Sequence, residues 1–314
     1  MARTPRPLPP TTRLVDGRIC AYDLASDATG VLSPATTFRP VPGDDVVAHT
    51  ASADLRRACY TTLNAVVCVT AEGDEVWRWA LEPWSDERFG HRPACALSAD
   101  GRAVWVYRPD VMAGRGRPDQ WVALDAGAGT VLARADLETV GHGGVQLVHP
   151  TSGHVLLDVG EGQDGSVVHR AALTDTGMEL VRHPGDDRCL IALSPDGRHF
   201  MTVDHGQGDV AVHTFPDGEV TFALAVDAFG HGQDDVCVEW SGGYLDPDTI
   251  VVALGGETED EEEWFRHHLV DARSGRVLGV FDAHARDAYD IRPLGDGSWL
   301  TTDPSGHPVR RTAA

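Results

Sequence analysis

The sequence predicts an all-β fold built from repeated four-stranded units, and three observations carry that prediction. Short apolar runs alternate with turn-forming residues along the whole chain, with 34 Gly and 19 Pro among 314 residues. Strand-turn-strand segments recur at a regular spacing. Almost no stretch has the 3.6-residue apolar period of a long amphipathic helix.

The repeat is clearest in two segments, LSADGRAVWVY from Leu97 and LSPDGRHFMTV from Leu193, which lie 96 residues apart, or two periods of 48. Weaker copies start at Ser52, His149, Leu245 and Pro293. Most centre their turn on Asp-Gly or Ser-Gly, where glycine supplies the positive φ of a tight hairpin. A second strand-turn-strand unit follows two of these copies. WVALDAGAGTVLARADL runs from Trp121 and HLVDARSGRVLGVFD from His268, with Asp125 and Asp271 146 residues apart. One period is therefore four strands.

A third marker keeps the same phase. A histidine, often after glycine, precedes the first strand of most repeats: His91, His142, His183, His231 and His284. Taken together, these features resemble the WD-repeat β-propellers and the wider propeller group that includes the quinoproteins. The repeats are degenerate, since no repeat carries the Trp-Asp dipeptide. The resemblance implies blades of four antiparallel strands, with each of the five histidines in a structural hydrogen-bonding role inside a blade.

First strands fall near Val46, Cys95, Val145, Leu190, Cys237 and Ile291, which gives six blades, with seven open because HPVRR near the C-terminus reads as an additional strand. The expected organisation is a single domain over 1–314. In it, 1–10 are flexible, 11–40 are outer strands of the closing blade, 41–286 form five full blades, and 287–314 supply the closing blade's inner strands. Pairing the N- and C-terminal strands would close the ring and leave no free sheet edge.

Composition narrows the function. The chain has no Lys, 26 Arg, 48 acidic residues and a formal charge of −22. Such a field repels nucleic-acid phosphates and anionic lipid, so the expected partner is another protein with a basic surface, not nucleic acid or membrane. The first 17 residues hold no apolar signal core, and six scattered cysteines form no C-x-x-C pair, so a cytoplasmic monomer with reduced thiols is expected. Lysine-dependent phosphate loops and Schiff bases are excluded.

No G-x-S-x-G elbow, H-E-x-x-H or calcium loop is present. GEGQDG at Gly160–Gly165 matches a dinucleotide fingerprint, but SVVHRAAL after it reads as a strand where a helix is needed. A non-catalytic interaction scaffold without cofactor or metal is the expected function. The alternative is a propeller hydrolase or lyase with a metal or small-molecule site in the channel. A third reading is a small-ligand or sugar receptor using channel-mouth tryptophans such as Trp240. Two long connections between second and third strands mark the candidate partner surface. One is 108–119, with Arg108, Arg115 and Arg117; the other is 255–264, with Glu259, Asp260, Glu261, Glu262 and Trp264. Loops longer than a hairpin needs gain no stability from their length, which points to use.

Overall fold

A computed structural model describes residues 8–313 except 26–27, 88, 184, 186, 233–235 and 259–261. The chain is all-β, with seven small sheets in sequence order. Sheet I holds Thr11–Val15, Arg18–Tyr22 and Thr36–Phe38. Sheet II holds Ala48–Ala51, Arg57–Thr61, Ala65–Thr70 and Glu75–Ala80. Sheet III holds Ala94–Leu97, Ala103–Arg108, Asp119–Asp125 and Val131–Leu137. Sheet IV holds Gly143–Val148, His154–Gly160, Ser166–Thr174 and Gly177–Arg182. Sheet V holds Arg188–Leu193, His199–Asp204, Asp209–Thr214 and Val220–Ala225. Sheet VI holds Val236–Asp246, Thr249–Glu257, Glu263–Asp271 and Val277–Phe281. Sheet VII includes Arg292–Pro293, Ser298–Thr302 and Pro308–Thr312.

Seven blades replace the expected six. The additional sheet is sheet I, whose strands lack the Ser-x-Asp hairpin of sheets II, III and V. Its first hairpin turns instead on Asp16 and Gly17, both at positive φ. HPVRR supplies the third strand of sheet VII.

The chain divides into two compact units. Unit 1 comprises 1–148, 172–179 and 304–307; unit 2 comprises 149–171, 180–303 and 308–314. Sheets I, II and III lie in unit 1, and sheets V, VI and VII in unit 2. Among the described residues, no helix is long and apolar enough to cross a membrane.

The recurrent hairpin has a simple polar lock. Ser98 Oγ donates to Asp100 Oδ1 at 2.6 Å, the Arg102 N–H donates to the same oxygen at 3.1 Å, and the Ala103 N–H donates to Ser98 Oγ at 3.0 Å. Ser52 with Asp54 and Ser194 with Asp196 repeat this arrangement. At the left-handed position the last two copies differ: Gly197 has φ +71°, whereas Leu55 takes φ +57°. Short polar side chains thus satisfy turn N–H groups that no ladder reaches.

Between these turns the middle strands are buried on both faces. Every residue of Ala103–Arg108 is buried, whereas the outer strand Val131–Leu137 is mostly exposed. Within each unit, apolar faces of neighbouring sheets cover one another. Val104, Val106, Val122 and Leu124 of sheet III pack with Cys59, Val66, Cys68 and Trp77 of sheet II. In unit 2, Met201, Val203 and Val212 of sheet V pack with Val238, Ile250, Val252 and Val270 of sheet VI.

A second lock joins neighbouring sheets at their outer strands. Trp77 of sheet II lies over Gly129, in the last turn of sheet III, and its Nε1 donates to Ala126 O at 3.1 Å. In unit 2, Phe222 of sheet V lies over Gly275, the equivalent turn of sheet VI. The Asp125 and Asp271 carboxylates noted in the repeats accept the N–H groups of these same turns.

A Cβ on Gly129 would stand 2.6 Å from the Trp77 ring, at a φ of +69°. Gly129→Ala is therefore expected to destabilise the protein by about 2–4 kcal/mol, combining strain with overpacking. In a double-mutant cycle by chemical denaturation, Trp77→Ala should remove the overpacking part, so the two effects should be non-additive. Additive effects would show that the ring does not press on this turn.

Candidate functional site

The 108–119 loop joins the second and third strands of sheet III, as expected, but its side chains do not form a rim. Arg108 and Arg115, expected at a partner surface, are buried. Both point at the fully buried carboxylate of Asp110. Arg108 Nε donates to Asp110 Oδ1 at 2.6 Å and Arg115 Nη1 donates to it at 3.2 Å; Arg117 Nε lies 3.7 Å from Oδ2, with its side chain half exposed. Sequence reasoning missed Asp110, because a carboxylate between two Pro-containing segments reads as surface.

The remaining donors of the two arginines reach the preceding connection. Arg108 Nη2 donates to Glu82 O at 2.5 Å, and Arg115 Nε donates to Pro83 O at 2.9 Å. Arg115 Nη2 also donates to Leu63 O at 3.0 Å and Asn64 Oδ1 at 2.9 Å. Asn64, the chain's one asparagine, exchanges two 2.9 Å bonds with the Ser85 backbone, and Ser85 Oγ donates to Ala113 O at 2.6 Å. His91 is buried beside this network, and burial followed by the Arg115 charge lowers its imidazole pKa. Below the loop, Asp119 accepts from Tyr107 OH, Thr139 Oγ1 and the N–H groups of Val111 and Gly141.

The consequence is a fixed display. With Ser85 buried and its neighbours' carbonyls tied down, Trp84 is left 75% exposed and Phe89 87% exposed. Glu82, Asp86 and Glu87 around them are exposed as well. This aromatic and acidic segment was not singled out from the sequence, although EPWSDERF carries the signal of large apolar residues set among charges.

The 255–264 loop joins the second and third strands of sheet VI. Glu257 pairs with Glu263, and the Thr258 N–H donates to Glu262 O at 2.9 Å. Glu262 is exposed, while Glu259, Asp260 and Glu261 lie outside the described residues. Trp264 is half-buried, with Arg266 over its ring at 5.5 Å and His231 against it at 5.3 Å.

The five marker histidines do not share one role. His183 is buried over Gly218 and packs edge-on to Phe200, and burial pushes its pKa down to about 4. His142 and His284 are exposed, the latter at φ +51°, so neither is an internal hydrogen-bonding group of a blade. That role falls to a histidine outside the marker set: His213 Nε2 meets Thr202 Oγ1 at 2.8 Å within sheet V. His149, just after the first strand of sheet IV, instead meets Gly197 O in a turn of sheet V at 2.8 Å and so links two sheets. The Gly160–Gly165 segment is a short turn between strands of sheet IV, and no helix follows it.

Unit 2 holds one strongly perturbed carboxyl. Asp158 accepts from Ser166 Oγ and from the Leu190 N–H, the latter at 2.8 Å, yet burial raises its pKa to about 6. The neighbouring Cys189 thiol is pushed up to about 12, by burial first and Asp158 second, which keeps it protonated. Among the described residues, no group of three or more His, Cys, Asp or Glu side chains is arranged to hold a metal ion.

No protein-family model and no curated protein matches the chain. Solved structures do. The chain is similar to Kuenenia stuttgartiensis hydrazine synthase, with a TM-score of 0.56 and 12% identity over 83% of this chain and 74% of that one. It is similar to the dihydro-heme d1 dehydrogenase NirN in complex with DHE, at TM-score 0.58 and 14% identity over 96% of this chain and 59% of that one. BamB from Moraxella catarrhalis gives 0.51 and 13% over 96% and 80%. The fold is a β-propeller. Identities of 12–14% establish the fold and leave function to the residues on the surface.

Asp158 links stability to pH. Its folded-state pKa of about 6 exceeds the ordinary value of 3.8. Its contribution to stability is therefore full below about pH 4 and is lost as pH rises through about 6, an effect of about 3 kcal/mol. Asp158→Asn should remove this component, so the difference in urea stability between wild type and variant should change sharply from pH 4 to pH 7. A difference independent of pH would mean that the carboxyl ionises normally.

Proposed function

We propose that the protein is a non-catalytic interaction module of the WD-repeat-like propeller kind, and that it binds a partner protein with a basic surface. The observation that carries this reading is the pair of exposed aromatics, Trp84 and Phe89, on a segment held by a buried ion-pair network. Exposed aromatic side chains on a rigid base bury much area with little loss of conformational freedom, the property of interface hot spots. Glu82, Asp86 and Glu87 beside them supply an acidic surround, and the sequence run Glu259, Asp260, Glu261 and Glu262 gives the second loop an acidic character of its own. Arg117, half exposed at the edge of the Asp110 network, is the one cation of the 108–119 loop available to such a partner. Closure of the propeller by its N- and C-terminal strands belongs to the same proposal.

The test is association with partners captured from the native cell extract, measured with purified components. Trp84→Ala with Phe89→Ala should weaken binding at least tenfold, mainly through faster dissociation, with the melting temperature unchanged. Neutralising Glu259, Asp260, Glu261 and Glu262 should slow association and flatten its salt dependence, because exposed charges act over a Debye length of about 8 Å at physiological salt. A partner indifferent to both sets of changes would place binding elsewhere.

A further inference from the structure

Unit 2 carries a second aromatic surface, independent of the Trp84 segment and built around a strand irregularity. The register of sheet VI shifts between Val238 and Gly242, and the bulge leaves Trp240 39% exposed. Its ring is held in place: Trp240 Nε1 donates to Asp204 O at 3.2 Å, and His205 stacks on it at 5.7 Å with planes 26° apart. Tyr289, 55% exposed, donates its hydroxyl to Glu239 Oε2 at 2.6 Å. Gln207 Nε2 donates to the same oxygen at 3.3 Å.

The Glu239 carboxylate rests against bare backbone, since a Cβ on Gly255 would stand 2.0 Å from its Oε1. Asp187 lies beside His205, its Oδ1 3.5 Å from Nδ1. Among the described residues neither Glu239 nor Asp187 is paired with an arginine. The surface thus combines electron-rich ring faces with carboxylates that lack a strong cation.

We propose that this surface binds an organic cation, a guanidinium or alkylammonium head, against Trp240 and Tyr289 with Glu239 and Asp187 as its counter-charges. Ring quadrupoles attract cations to their faces, and nearby carboxylates add a direct Coulomb attraction. A neutral ligand of the same shape would gain the apolar contact alone. The Tyr289 and Gln207 bonds fix Glu239, so its charge is aimed before the ligand arrives.

The test uses the full chain labelled with 5-fluorotryptophan, the Trp240 fluorine resonance being assigned from Trp240→Phe. Choline and arginine ethyl ester are titrated against 3,3-dimethylbutanol, the neutral isostere of choline, and against cellobiose. The cations should shift the Trp240 resonance at concentrations at least tenfold lower than the neutral isostere, and added salt should weaken them. Glu239→Gln should weaken cation binding several-fold while leaving the weak response to the neutral isostere in place. An arginine-containing tetrapeptide forms the last arm. Tighter binding than the free ester assigns the cation to a protein side chain, and equal binding assigns it to a free small molecule. A Trp240 resonance that ignores the cations, or follows cellobiose or the neutral isostere equally well, overturns the proposal. If Trp240→Phe fails to fold, Glu239→Gln alone decides it through the salt dependence of the shift.

Discussion

One buried carboxylate organises the candidate site of unit 1. Asp110 is shielded from water, and two arginines share a single one of its oxygens. A carboxylate in that position persists only when it is paired, and removing a partner leaves an uncompensated charge. The arginines are therefore fixed, and their remaining donors fix the carbonyls of Leu63, Glu82 and Pro83. The connection that carries Trp84 is thereby tied down at Glu82, Pro83 and Ser85. The ion-pair network acts here as a positioning device, and two of the three arginines of the 108–119 loop are turned inside the protein.

The sheets beneath depend on a more ordinary constraint. Middle strands that are apolar on both faces can be stable only between other sheets, and each sheet is small enough that its turns contribute much of its surface. This explains why turn chemistry is repeated so faithfully. Ser with Asp two residues on secures one hairpin, Asp125 and Asp271 secure another, and an aromatic ring from the preceding sheet covers the glycine of that second turn.

The parts of this plan that the sequence made legible are those with a local mechanism. The Asp-Gly turns, the four-strand period and four of six first-strand positions follow from hairpin chemistry and apolar alternation, with Val46 and Ile291 falling just before their strands. Sheet I was hidden because its hairpin uses Asp16 and Gly17 without the serine, leaving no repeat to align. The site was less legible for a different reason. Arg108 and Arg115 look like surface cations until Asp110, Asn64 and Ser85 are brought to them from three separate segments, and such convergence leaves no spacing to read. The histidines show the reverse error: a shared sequence position did not give His142 and His284 the internal bonding role, whereas His213, outside that position, acquired it from its place in a middle strand of sheet V.

The most direct measurement is amide hydrogen exchange across the whole chain in wild type and Arg115→Met, a change that removes one of the two arginine partners of Asp110, with its bonds to Leu63, Asn64 and Pro83, but keeps much of the side-chain volume. If the network mounts the surface segment, exchange should accelerate locally, at Ser85, whose N–H donates to Asn64, and at Arg115 itself, whose N–H donates to Asp110 O. Protection in sheets V and VI should stay as it is. Unchanged protection at Ser85, or a loss spread evenly over all seven sheets, would contradict the account.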